Sequence, residues 1–122
     1  MEKVLVIDDD SLVRDTIVRI LERQGYQVRV ASDGVGGLRM FHRERPDLVI
    51  TDIIMPEKEG IGTIREIRGD CPDAEIIAIS GGGRIGNVGF LNVAEQVGAS
   101  EIIAKPFDPT DLANTVSRCL GA

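Results

Sequence analysis

Four short apolar runs constrain this chain more than any other feature: Val4-Leu5-Val6-Ile7, Leu48-Val49-Ile50-Thr51, Ile76-Ile77-Ala78-Ile79 and Ile102-Ile103-Ala104. They are rich in β-branched residues and show no polar alternation. Strands that read this way are buried on both faces, the condition of a parallel sheet covered by helices. Between the runs the spacing becomes helical. From Ser11 to Gln24, Val13, Ile17, Ile20 and Leu21 form one stripe. Arg14, Asp15, Arg19, Glu22 and Arg23 fall largely outside it. Ser11 is the expected N-cap and Gly25 the stop. Val28-Arg29-Val30 is shorter and less apolar, which suits an edge strand.

Leu38, Met40 and Phe41 mark the inner side of a second helix, expected over 34–43 and barred from extension by Pro46. Gly36 and Gly37 weaken it by about 1 kcal/mol each relative to alanine. Ile61, Ile64 and Ile67 mark a third helix after Gly60. Phe90, Val93, Ala94 and Val97 mark a fourth that ends at Gly98. Asp108 as cap and Pro109 at the first helical position open a fifth. Its inner stripe is Leu112, Val116 and Cys119 or Leu120.

The order βαβαβαβαβα predicts an α/β fold, a parallel five-stranded sheet with right-handed crossovers and helices on both faces. A weak second strand fits the flavodoxin-like order 2-1-3-4-5, which sets the ends of the first and third strands side by side. The 122 residues suffice for one domain over 1–122, with no output domain expected. Only 3% of residues are aromatic, so the core must be aliphatic. A net charge of −6 argues against nucleic acid or an anionic membrane as partner. No stretch approaches the roughly 20 apolar residues of a membrane span, and the run after Met1-Glu2-Lys3 is too short for a signal peptide. Cys71 and Cys119 fit no metal spacing and read as reduced thiols of a soluble cytoplasmic protein. His42, the single histidine, is expected to be exposed and idle.

Each apolar run also ends in a reactive side chain: Asp8-Asp9-Asp10, Asp52, Ser80 and Lys105-Pro106. If the strands are parallel neighbours, these groups meet at one crevice beyond the carboxyl ends. Three adjacent carboxylates repel one another, so the site calls for a cation. Magnesium is the natural cofactor, a hard ion that prefers oxygen ligands and tolerates a phosphate beside it. Asp52, alone at the end of a central strand, is the best nucleophile, and Asp8 and Asp9 are then metal ligands. Lys105 offers a point charge and Ser80 a short hydroxyl to phosphoryl oxygens. The product is an aspartyl phosphate. Asp10 is left with a structural or solvated role.

These residues resemble the receiver domain of bacterial two-component response regulators over essentially the full length. The motifs are Val6-Ile7-Asp8-Asp9-Asp10, Asp52-Ile53-Ile54-Met55-Pro56, Gly60, Ser80, Gly98-Ala99 and Lys105-Pro106-Phe107. The resemblance implies that Asp52 is the phosphoacceptor. Asp8, Asp9, Asp52 and the backbone carbonyl of Ile54 would hold Mg2+. Ser80 and Lys105 would attend the phosphoryl group, and the Lys105-Pro106 bond would be cis. It also implies a histidine kinase or phosphotransfer protein as donor and a downstream protein as target. A weak homodimer through the fourth helix, fifth strand and fifth helix is a further implied partner. Such a domain catalyses only its own phosphorylation and dephosphorylation and is no turnover enzyme.

Three departures from the pattern stand out. Gly81-Gly82-Gly83, Gly86 and Gly89 predict a mobile loop. Ile102 replaces a switch aromatic. Ile54 and Gly82 offer no polar side chain to an attacking water, which predicts slow self-dephosphorylation. Gly81 to Gly86 also matches G-x-G-x-x-G, but after the fourth strand and without the acidic residue that dinucleotide binding needs. Two rival readings remain. One is a small haloacid-dehalogenase-like phosphohydrolase with Asp8 as nucleophile, against which Leu12 stands where threonine is expected and Asp108/Asp111 is a poor late acidic motif. The other is a receiver-like binding module that is never phosphorylated.

Overall fold

The computed structural model describes residues 2–53, 60–80 and 98–121, with the side chains of Ile61 and Ser80 outside that description. Strands β1 (Lys3–Ile7), β2 (Gln27–Ala31), β3 (Leu48–Asp52), β4 (Glu75–Ser80) and β5 (Glu101–Ala104) form one sheet. Its order is β2-β1-β3-β4-β5, and every pairing is parallel. Helices α1 (Ser11–Arg23), α2 (Gly34–Glu44), α3 (Gly60–Asp70) and a C-terminal helix (Pro109–Cys119) cover it. The expected fourth helix and the glycine-rich loop lie outside the described residues.

Period-two alternation sends each strand's side chains to two separate cores. Leu5, Ile7, Val49, Ile76 and Ala78 face Phe41, Ile64 and Ile67 of α2 and α3. Val4, Val6, Leu48, Ile50, Ile77 and Ile79 face Ile17 and Leu21 of α1 and Leu112 and Val116 of the C-terminal helix. Both faces of β1, β3 and β4 are therefore sealed, which is why their sequences show no alternation. β2 is an edge strand, as is β5, and Val30 in β2 is 44% exposed.

Four local expectations change. The cap of α1 is Asp10, not Ser11: its Oδ1 accepts from the N–H groups of Leu12 at 2.9 Å and Val13 at 3.4 Å. A carboxylate one residue earlier reaches the first free N–H groups, and it adds charge where the helix dipole favours it. Helix α2 runs one residue further than expected, to Glu44, and stops at Arg45 in the left-handed region (φ 47°). Gly37 is not a mere weakness in that helix. A Cβ there would lie 2.9 Å from Ile7 Cγ1 and closer still to Cδ1, so the bare backbone lets α2 settle on β1. His42 is exposed but not idle, since its Nε2 sits 3.1 Å from Asp70 Oδ2 and joins α2 to α3.

Candidate functional site

The ladder itself carries the acids into position. Beyond the last β1 residue, the Asp8 N–H donates to Ala31 O at 3.2 Å. Asp52 ends β3 with Ile79 as its partner in β4, and the following Ile53 N–H donates to Ile79 O at 3.0 Å. β1 and β3 are neighbours with Ile7 opposite Thr51, so Asp8 and Asp52 emerge side by side at the carboxyl edge. This is the place where strand order reverses and open α/β sheets bind ligands.

Asp8 and Asp52 are buried, at 1% and 6% exposure, and Asp9 is exposed. One carboxylate oxygen from each of the three lies within 4.8 Å of the others. Lys105, directly after β5, bridges the buried pair: its Nζ donates to Asp8 Oδ2 at 3.0 Å and Asp52 Oδ2 at 3.1 Å. Asp8 Oδ1 accepts from the Asp10 N–H at 2.9 Å, so both its oxygens are held. The Lys105-Pro106 bond is cis.

Burial pushes the Asp8 carboxyl above its ordinary value, against the opposing pull of the Asp10 N–H and Lys105. For Lys105, burial acts to lower the pKa. The bond to Asp8 and the charges of Asp52 and Asp8 outweigh it, and the pKa rises. The ammonium is firmly protonated.

The donor set suits a hard divalent ion. All three ligand atoms are carboxylate oxygens, and with Lys105 they leave a formal charge of −2. Oxygens on one octahedral Mg2+ are at most about 4.2 Å apart, given bonds of roughly 2.1 Å. Only one of the three oxygen pairs can be trans, and the others must be cis, at about 3.0 Å by the same bond length. Atoms within 4.8 Å of one another would therefore close in by up to about 2 Å, or take a water between the ion and exposed Asp9.

Of the expected site residues, Asp8, Asp9, Asp52 and Lys105 come together. Ser80 is placed by its backbone at the end of β4, opposite Ala104. Ile54 lies outside the described residues. The sequence reading missed Arg14. It falls outside the apolar stripe of α1, yet its Nη1 donates to the Asp8 carbonyl at 2.7 Å. The available signal was position: the first turn of a helix that follows an acidic strand end must face that end.

A five-stranded parallel sheet of flavodoxin-like order, with acids at the switch point and a lysine after β5, defines a class of signalling domains. The sequence matches the response regulator receiver domain over residues 4–117, and the chain belongs to that family, the receiver domains of two-component systems. It is 40% identical over 111 residues to a probable transcriptional regulator, ycf27, of Guillardia theta, matching 91% of this chain and 42% of that protein. It is 36% identical to protein CcdB of Bacillus subtilis over 99% of each. Among solved structures, a receiver domain protein of Clostridium thermocellum superposes with a TM-score of 0.90. That pair is 34% identical and shares 98% of this chain and 94% of the other. The receiver domain of NtrX from Brucella abortus gives 0.90 at 31% identity, with 96% and 97% covered. The chain spans less than half the length of the ycf27 regulators it matches. No helix among the described residues is long and apolar enough to cross a membrane.

Proposed function

We propose that this chain accepts a phosphoryl group on Asp52 from a phosphohistidine of a kinase or phosphotransfer protein. The modified form then acts by altered affinity for a protein target. The observation that supports this best is the Lys105 ammonium held between the two buried carboxylates, 3.0 Å from Asp8 and 3.1 Å from Asp52. Asp8, fixed at both oxygens, suits a ligand; Asp52, ending the central strand, suits the nucleophile.

In the reaction an Asp52 oxygen attacks phosphorus and the P–N bond of the donor breaks. The imidazole leaves with the electron pair and takes a proton from water. Lys105 is a cation already in place for an oxygen of the transferred group, and Ser80 at the end of β4 is the hydroxyl for another. Asp8, Asp9, Asp52 and the Ile54 carbonyl are the proposed Mg2+ ligands. The ion, when bound, supplies positive charge between the carboxylates and the incoming phosphoryl group.

Beside Lys105, a largely apolar groove of about 400 Å³ is lined by Leu12, Val13, Thr16, Pro106 and Phe107. Leu12 is 76% exposed, which for a large aliphatic residue suits a contact surface. A donor helix seated there would bring its phosphohistidine to the crevice.

The test is incubation with acetyl phosphate and Mg2+, borohydride trapping of the acyl phosphate, and mass spectrometry of the peptides. The reading expects label on Asp52, absent in Asp52→Asn and without Mg2+. Label on Asp8 would favour the hydrolase. No label from acetyl phosphate or from a histidine kinase would leave a binding module.

A further inference from the structure

A basic feature of this acidic chain lies at the end of β2, near the carboxylates. A pocket of about 520 Å³ opens between α1 and α2, and Arg14, Arg39 and Arg43 line it. Asp33 is the one acidic residue among the lining side chains, and its Oδ1 is engaged by the Gly36 N–H at 2.7 Å. Arg39 and Arg43 stand four residues apart on α2, so both project along one helix face. Arg39 has no ion-pair partner among the described residues. Arg43 Nη2 donates to Met40 Sδ at 3.8 Å, a weak bond to sulfur, and its Nε comes only within 3.8 Å of Glu44 Oε2, an ion pair beyond hydrogen-bond reach. Arg14 spends Nη1 on the Asp8 carbonyl, but its remaining donors are not used in that bond.

Three guanidinium groups around one cavity, in a chain of net charge −6, are mutually repulsive until an anion joins them. Their planar forks match phosphate oxygens two at a time. The rest of the wall is Val30, Ala31, Ser32, Met40 and the bare backbone of Gly36. The apolar part of that wall, Val30, Ala31 and Met40, can lie against a ring, and the volume falls in the usual range for small ligands.

We infer that this pocket is a binding site for a small ligand bearing a diphosphate, of the nucleoside di- or triphosphate class. The site is separate from the phosphoryl crevice and does not depend on Asp52 chemistry. Arg14 joins the two: one end of its guanidinium is fixed on the Asp8 backbone and the other faces the pocket. Occupancy therefore has a direct route to the backbone that carries the acidic pair.

The probes are ATP and inorganic pyrophosphate, titrated into the whole chain in EDTA at physiological ionic strength. Without a metal the acidic crevice repels anions, so it does not compete. Amide NMR shifts are followed at Ser32, Asp33 and Gly36, and at Asp9 and Asp10 through Arg14. Both probes should saturate these shifts, and Arg39→Ala and Arg43→Ala should each weaken binding about tenfold, the loss of one charge-assisted contact. Both residues are exposed, and circular dichroism checks that the variants are folded. No saturation by millimolar probe, or equal affinity in the variants, overturns the site. Self-association without any anion, abolished by the same substitutions, would overturn it in favour of a second copy of the chain.

Discussion

Replacing Asp8 by asparagine should stabilise the metal-free protein. At an effective dielectric near 20, the Asp8–Lys105 pair at 3.0 Å contributes about 5–6 kcal/mol of attraction. Repulsion between Asp8 and Asp52, with ligand oxygens within 4.8 Å, returns at least about 3 kcal/mol of that, and Asp9 adds to it. Desolvating the 1%-exposed carboxylate costs several kcal/mol more. The charged form is thus disfavoured on balance, in accord with the raised pKa. Asparagine keeps an oxygen for the Asp10 N–H, and Lys105 keeps Asp52 as partner, so no buried charge is orphaned.

A gain of about 1–2 kcal/mol in EDTA at neutral pH is expected from urea unfolding followed by circular dichroism. The pH dependence has a definite sign. An acid whose folded pKa is raised favours folding below its ordinary value of 3.8, and that contribution is lost as pH rises through the folded pKa. The penalty removed by asparagine is therefore largest at neutral pH and fades on acidification through the Asp8 titration. Magnesium at about ten times its Kd should raise parent stability by about 1.4 kcal/mol and leave the variant unchanged. A variant less stable than its parent in EDTA, or a gain that does not vary with pH, refutes the reasoning.

Two glycine substitutions in helices should move stability in opposite directions. Gly37→Ala drives a methyl into Ile7 and should cost about 1–3 kcal/mol, whereas Gly69→Ala meets nothing within 4 Å and should gain up to about 1 kcal/mol; urea midpoints decide, and equal signs would contradict the packing argument. Burial, reinforced by Glu101 and Glu75, pushes the Cys119 thiol up to about 11. About one molecule in a thousand carries the thiolate at pH 8, so iodoacetamide should label Cys119 far more slowly in the folded than in the unfolded chain, and equal rates would refute that. Lys105→Met leaves two buried carboxylates facing each other and should destabilise the metal-free protein by about 2–4 kcal/mol, with Mg2+ restoring part of it; a loss unaltered by Mg2+ would break the link between this lysine and the metal site.

What the sequence discloses here follows from how local its causes are. Unalternating runs at β1, β3 and β4 disclose the parallel sheet because burial on both faces is a property of each strand alone. The acids and the lysine are legible because parallel strands fix which ends meet. Gly37 is not legible in the same way: a bare helical position reads as weakness until the distance to Ile7 is known. Arg14 and His42 look solvated because helical periodicity sorts apolar from polar residues and says nothing about which polar residue finds a partner. Asp10 against Ser11 is a choice between two adequate caps, decided by where β1 releases the chain.

The charge balance at the crevice has limits on both sides. Without Lys105, the buried Asp8 and Asp52 would face each other with no ammonium between them, and the fold would lose stability whenever the metal was absent. A second buried cation would halve the formal charge to −1 and weaken the field toward a divalent ion near exposed Asp9. One ammonium against three carboxylates leaves −2, equal and opposite to the charge of the ion the ligands fit. Lys105 can serve both states because it hangs from the end of β5 on a flexible stem, outside the ladder that fixes the acids. Fixed acids and a movable cation suit the proposed phosphoryl transfer: the carboxylates would hold their places while the counter-charge follows the negative charge to its new position.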